Sequence, residues 1–332
     1  MYPKTKVYYS RHKDIWRHLA TEEYLLDRLN PHERILYLWQ SKGAIVIGKN
    51  QNPWKECNMP LIKRDRLKVA RRLSGGGTVY QDAGNLNFTF ISHRDRYDFY
   101  ENIEIIISAL QKKNINLTVG KGHELALQGA KCSGNAFCFR KDKALHHGTL
   151  LVNADLGKMR RYLQPFSEQI ETRAVNSNKA NVVNLSNRDN RFDCKEVMNR
   201  VIDHFTNLSA EKSEIIENIH LLESDAIQKL YQKYKSWGWI FGNTPKFQIH
   251  FRKHFKWGDC RLLCSVDQGR VTHLEIISNN SRKDTTWTSI TGQPECRFNS
   301  GSIANRIRRD FKCDTQSRAL YNLAAWVKGM NF

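Results

Sequence analysis

No apolar run in this chain of 332 residues approaches the roughly 20 residues that span a bilayer, so no membrane-crossing helix is expected. Met1 to Asp14 is basic but has no apolar core, so it does not read as a secretory signal. A zinc framework is missing too: Cys260 and Cys264 are close together, but no second pair with ligand spacing accompanies them. With no signal and a chain long enough to build a core, the 8 cysteines read as reduced thiols, and a reducing compartment such as the cytoplasm is expected. Acidic residues are the scarce charge, 33 against 53 Lys and Arg, for a net charge of +20. That excess is spread along the chain, and it suits an acidic partner: a nucleic acid, an acidic protein or a phosphorylated small molecule.

The 40% apolar and 26% charged content is that of an ordinary globular protein of about two domains. Ile15, Leu19, Leu26 and Leu29 predict a helix that ends before Pro31. Ile35–Trp39 and Ala44–Ile47 predict a hairpin. Thr78–Tyr80 and Leu86–Ile91 predict two strands around Asp82-Ala83-Gly84-Asn85. Helices are expected at Glu101–Lys113, Glu196–Leu208, Asp225–Trp237 and near Ile303–Phe311. Leu125–Phe139 reads as strand, turn and strand, bending at Ser133-Gly134-Asn135, with another strand at Leu145–Val152. Hairpins and helices mixed in this way predict an α+β fold. Past the aromatic, turn-rich run Trp237 to Pro245, alternating segments predict a small α+β domain. The expected division is 1–246 and 247–332.

Three segments could carry chemistry. Arg71-Arg72-Leu73-Ser74-Gly75-Gly76-Gly77-Thr78-Val79-Tyr80 sets three bare backbone amides beside two guanidinium groups. Such a loop either cradles an anion or is simply a flexible hairpin. No Gly-Lys-Ser/Thr follows it, so it is not a P-loop, and a strand follows where a dinucleotide fingerprint needs a helix. Lys131, beside Cys132-Ser133-Gly134-Asn135, either points into a cleft as a cationic clamp or lies in solvent. His146 and His147 are adjacent on a strand, so they should face opposite sides and not share a metal. No Ser/His/Asp order with supporting context stands out, and no acidic pair can be placed across one cleft.

Taken together with Ile47-Gly48-Lys49-Asn50-Gln51-Asn52-Pro53-Trp54 and His146-His147-Gly148-Thr149-Leu150-Leu151-Val152-Asn153, these segments resemble the lipoate–protein ligase A family in its bacterial two-domain form. The resemblance implies a large catalytic domain of the biotin/lipoate-ligase kind with a small C-terminal domain. It implies ATP, accompanied by Mg2+, and lipoate as substrates, joined in a lipoyl-adenylate. It implies transfer to a lysine of apo lipoyl domains of 2-oxoacid dehydrogenase complexes and of glycine-cleavage H protein. By the same resemblance, Arg72, Ser74, Gly75, Gly76, Gly77, Thr78, Val79 and Tyr80 would line the nucleotide. Lys131 would clamp phosphate and acyl oxygen, with an apolar channel for the lipoyl tail leading to it. A lipoyltransferase using preformed lipoyl-AMP is the competing expectation. A monomer that binds neither nucleic acid nor membrane, with no protein-held metal, completes it. The chain departs from the family at Gln81, where His is common, and at Gly122-His123-Glu124, where Gly-Arg-Asn-Asp is common. It also lacks the cysteine that octanoyltransferases carry before His-Gly.

Overall fold

The computed structural model describes residues 4–111, 115–164, 169–178, 180–187, 192–208, 212–217, 224–280, 283–290, 296–310 and 317–332. In chain order the strands are β1 Lys4–Tyr9, β2 Glu33–Trp39, β3 Ala44–Ile47, β4 Lys68–Arg71, β5 Val79–Gln81, β6 Asn85–His93, β7 Leu117–Val119, β8 Leu125–Leu127, β9 Ala130–Arg140, β10 Lys143–Leu151, β11 Ile170–Thr172, β12 Glu214–Glu217, β13 Phe247–Phe255, β14 Gly258–Asp267, β15 Arg270–Asn280, β16 Lys283–Ile290 and β17 Cys296–Arg297. The helices are α1 Ile15–Arg28, α2 Pro53–Glu56, α3 Met59–Arg64, α4 Phe99–Gln111, α5 Leu156–Tyr162, α6 Cys194–Asn207, α7 Asp225–Lys235, α8 Ser300–Asp310 and α9 Ser317–Gly329. The fold is α+β, as expected. No helix among the described residues is long and apolar enough to cross a membrane.

The chain forms two compact units. One comprises 1–49, 68–160 and 177–236; the other comprises 50–67, 161–176 and 237–332. Neither is a single stretch of sequence. Two contacts inside the second unit explain why: β11 pairs with β13, and Trp54 packs its ring against Phe241, Phe247 and Phe298 at 5.0–5.4 Å.

The first unit is built on a sheet ordered β12-β1-β2-β6-β10-β9-β8-β7. One face buries Leu36, Leu38, Leu86, Phe88, Phe90 and Leu150 against Ile103, Ile106 and Leu110 of α4 and Val197, Val201 and Phe205 of α6. At roughly 25 cal/mol per Å² of apolar surface, this face is the main source of the unit's stability. The opposite face carries α1, whose start is fixed by Asp14 accepting from the Trp16 amide at 3.1 Å. A second sheet, β4-β3-β5, holds the ends of the glycine-rich segment.

Two sequence expectations need correcting. Ile35–Trp39 and Ala44–Ile47 are both strands, but they join different sheets and do not pair as a hairpin: β2 runs between β1 and β6, while β3 lies between β4 and β5. The strands on either side of Asp82–Asn85 part in the same way, β5 to the small sheet and β6 to the large one. The bend in 125–139 falls at Gln128-Gly129, whose φ values of 52° and 78° make the left-handed pair that a tight hairpin requires. Ser133-Gly134-Asn135 is therefore inside β9, paired with β10.

Two buried histidines add a pH dependence. His18 Nε2 donates to the His12 carbonyl at 3.0 Å, and Nδ1 accepts from the Tyr37 hydroxyl at 2.9 Å. Burial pulls its pKa down to about 4. His146, wedged among Phe88, Phe90, Phe99 and Phe137, is pulled down by burial to about 3. Both are neutral when folded, whereas the unfolded chain takes up a proton near pH 6.5. Their contribution is complete above that pH and is lost as the pH falls toward 4 and 3. Urea titrations between about pH 7 and 4 should show several kcal/mol of lost stability, about 3 of it from His18. In His18→Gln that share of the slope should vanish; an unchanged slope would exclude His18 as a source.

Candidate functional site

The triple-glycine segment links β4 to β5, and its shape is imposed from below by Arg72. The guanidinium is buried and donates four times: Nε to Ser74 Oγ at 3.0 Å, Nη1 to the Val46 carbonyl at 3.2 Å, and Nη2 to the carbonyls of Gly75 at 2.6 Å and Gly77 at 2.7 Å. Arg71, fully buried, donates Nη1 to the carbonyls of Gly48 and Lys49 at 3.0 and 2.9 Å. Burial lowers both arginines to about 10, so both remain cations at neutral pH. With carbonyls turned down onto arginine, the loop is held by its acceptors. Gly76 sits at φ 83°, and a side chain on Gly48 would strike the Gly76 carbonyl oxygen at 2.2 Å. The space above Gly75 is open, with nothing within 4 Å of where a Cβ would stand.

A second layer pins Ser74. Its Oγ lies 2.6 Å from His147 Nε2, and His147 Nδ1 lies 3.1 Å from Glu22 of α1. Thr89 Oγ1 donates to the same carboxylate at 2.5 Å. Burial alone would push the Glu22 carboxyl up, but the facing imidazole and these hydrogen bonds outweigh it and hold it below the ordinary range. Since Ser74 Oγ accepts from Arg72 Nε, its own proton suits His147 Nε2, leaving Nδ1–H for Glu22. Sequence reading missed this Ser74–His147–Glu22 line, because its members are 73 and 125 residues apart. Removing the carboxylate in Glu22→Ala strands two buried donors. We expect a loss of about 3 kcal/mol in urea unfolding. A loss below about 0.5 kcal/mol would show that the line carries no load.

His146 and His147 face opposite sides of the sheet, as strand geometry requires. His146 looks toward α4, with Nε2 3.1 Å from Asn135 Oδ1, while His147 looks toward the glycine loop. Register puts Ala136 opposite His147, and Gly76 approaches Ala136 Cβ to 3.9 Å from its own would-be Cβ.

Lys131 lies at an irregularity where β8 meets β9. Its backbone N–H donates to the Asn181 carbonyl, and its carbonyl accepts from the Val183 N–H, both at 2.9 Å. The amine runs along β9, with Nζ 3.5 Å from where a Cβ on Gly134 would stand. Among the described residues no hydrogen bond or ion pair holds it. Gly134 and Ala136 are two residues apart on one face, so the amine and the glycine loop flank the same short stretch of strand. Ser177 Oγ accepts from the Thr78 N–H at 2.9 Å, and Asn181 and Val183 bracket Lys131.

Val79, Tyr80 and Gln81 form β5, and Tyr80 is buried. Gln81 Nε2 donates to Asn87 Oδ1 at 2.8 Å, while its Oε1 is buried without a hydrogen-bond partner among the described residues. In the 120–124 turn, the Asn135 side chain donates to the His123 carbonyl at 2.6 Å. The described cysteines are all free; Cys313 lies outside the described residues.

The fold and site define an α+β protein with a glycine loop moulded on a buried arginine and a lysine amine beside the same strand, β9. Residues 14–206 match the model of the lipoyl protein ligase A/B catalytic domain. The chain is 35% identical over 271 residues to lipoate-protein ligase A of Psychrobacter cryohalolentis, covering 80% of each. It is 32% identical over 284 residues to lipoate-protein ligase A of Bdellovibrio bacteriovorus, covering 83% of each. The crystal structure of P. falciparum LipL1 in complex with lipoate shares 28% identity at a TM-score of 0.63, over 98% of this chain and 99% of that one. This chain therefore belongs to the lipoyl protein ligase A/B family.

Proposed function

We propose that the chain is an ATP-dependent lipoate–protein ligase. The observation that carries this reading is the placement of the Lys131 ammonium beside Gly134 and of the bare glycine loop beside Ala136, two residues further along β9, the ammonium having no hydrogen bond or ion pair among the described residues. In the first step a lipoate carboxylate oxygen attacks the α-phosphorus of ATP. The bond to the bridging oxygen breaks, and pyrophosphate leaves. Negative charge builds on the phosphoryl oxygens, where Lys131 and the amides around Gly75 and Gly76 meet it. In the second step the amine of an acceptor lysine attacks the acyl carbon, an amide forms, AMP departs, and the amine gives up a proton. Lys131 polarises the acyl oxygen and forms no covalent bond. Arg72 and Ser74 act through the loop: one fixes its carbonyls, and the other ties it to His147 and Glu22.

Open space above Gly75 fits a nucleotide pressed against backbone. In this reading Mg2+ accompanies the ATP phosphates. The acceptors in this reading are apo lipoyl domains of 2-oxoacid dehydrogenase complexes and glycine-cleavage H protein, and the enzyme works as a cytoplasmic monomer. Chain, ATP, Mg2+, lipoate and apo acceptor are mixed and the acceptor is weighed. A mass gain of one lipoyl group that depends on ATP supports ligation. A gain only with synthetic lipoyl-AMP would replace the ligase with a lipoyltransferase.

A further inference from the structure

Gln81, at the end of β5, stands where His is common in the family, and it is only 4% exposed. A chain of hydrogen bonds fixes which way its amide points. Asn87 Nδ2 donates to the Trp39 carbonyl at 3.4 Å, which turns Asn87 Oδ1 toward Gln81 and Thr149. Thr149 Oγ1 donates to that oxygen at 2.6 Å, and Gln81 Nε2 donates to it at 2.8 Å. A flipped Gln81 would set two acceptors against each other. Gln81 Oε1 is thereby turned away from Asn87, buried and without a hydrogen-bond partner among the described residues. A buried acceptor in this state costs stability unless another molecule donates to it.

The neighbours of Gln81 place it beside the Lys131 amine. Thr149 of β10 is directly opposite Asn87 of β6 on one side and Gly134 of β9 on the other, so the three share one face of the sheet. Lys131 Nζ lies on that face, 3.5 Å from where a Cβ on Gly134 would stand, and Gln81 Nε2 is 3.4 Å from Thr149 Oγ1. Neighbouring strands are roughly 5 Å apart, so little more than one strand spacing separates the ammonium from the carboxamide. Thr149, between them, is only half-buried, so the row is not closed over at that point.

We propose that Gln81 Oε1 accepts a hydrogen bond from a ribose hydroxyl of the nucleotide, which makes Gln81 a specificity-determining residue for ATP. The inference rests on the ligase reading for the identity of the ligand. Ionised lipoate has no hydrogen-bond donor, and neither do ionised phosphates. The donors that ATP brings are the ribose hydroxyls and the adenine amine, and the ribose is the group joined to the α-phosphate that Lys131 meets. The amine of an acceptor lysine also has donors, but it arrives from solvent, where Gln81 is closed off.

The test is calorimetric binding of ATP, 2′-deoxy-ATP and 3′-deoxy-ATP to the full chain and to Gln81→Leu, with pyrophosphate release in the presence of lipoate measured alongside. In the parent, one of the two deoxynucleotides should bind about tenfold more weakly than ATP. Gln81→Leu should bind ATP about tenfold more weakly and no longer distinguish it from that deoxynucleotide. The parent comparison needs no variant and decides the matter if Gln81→Leu does not fold. Equal affinity of the parent for all three nucleotides would overturn the proposal, leaving water as the partner of the oxygen. So would a discrimination that survives in Gln81→Leu, which would give the ribose to another residue. Discrimination in binding without pyrophosphate release counts against the ligase and not against the ribose contact; release without discrimination counts the other way.

Discussion

Lys131→Ala is expected to cut lipoyl-adenylate formation by about 10²–10³-fold, the usual loss when a preorganised electrostatic donor is taken from a phosphoryl or acyl transition state. The same variant should unfold in urea within about 0.5 kcal/mol of the parent. Among the described residues the amine holds no hydrogen bond or ion pair, and its neighbour is the bare Cα of Gly134, so truncation strands no buried group. Activity is lost while stability is kept, which separates a chemical role from a structural one. Lys131→Arg should also fall, by about tenfold or more. It keeps the charge but brings a planar fork to a place where a compact ammonium lies 3.5 Å from where a Cβ on Gly134 would stand. Pyrophosphate release in the presence of lipoate measures both. Parental rates in both variants would remove Lys131 from the mechanism.

How far the sequence could lead to this site depends on the range of the interactions involved. Local rules worked where the determinant was local. The helix from Ile15 starts on the Asp14 cap and stops short of Pro31, and adjacent histidines on a strand part to opposite faces. Local rules failed where two competing turn signals lay close together. Ser133-Gly134-Asn135 has the composition of a turn, but Gln128-Gly129 takes the left-handed pair, and pairing with β10 carries β9 straight through the small residues. That change matters for the chemistry. Gly134 lies inside the strand, where the Lys131 side chain runs past it at van der Waals distance from a would-be Cβ. The hairpin at 35–47 failed for a different reason: strand pairing is decided by partners far along the chain. The Ser74–His147–Glu22 line could not be read at all, since nothing in the spacing of a serine, a histidine and a glutamate on three separate elements marks their meeting.

Arg72, expected to line the nucleotide, also holds the glycine loop from behind, and its replacement should have the second large effect. As a nucleotide contact, Arg72 would matter only when ATP is bound. Its four donated bonds go to Ser74 and to the carbonyls of Val46, Gly75 and Gly77, so the side chain is also the inner mould of the glycine loop. Lysine keeps the charge but cannot span these acceptors with a single ammonium, and several would be left buried and unpaired. Arg72→Lys should therefore lose about 3 kcal/mol of stability without any ligand, and about 10²-fold in adenylate formation, through both kcat and the KM for ATP. The ligand-free measurement is decisive. If Arg72→Lys unfolds like the parent in the absence of ATP and only its KM for ATP rises, the guanidinium is a nucleotide contact. If stability falls first, the loop amides face the phosphate only because Arg72 has already claimed the carbonyls behind them.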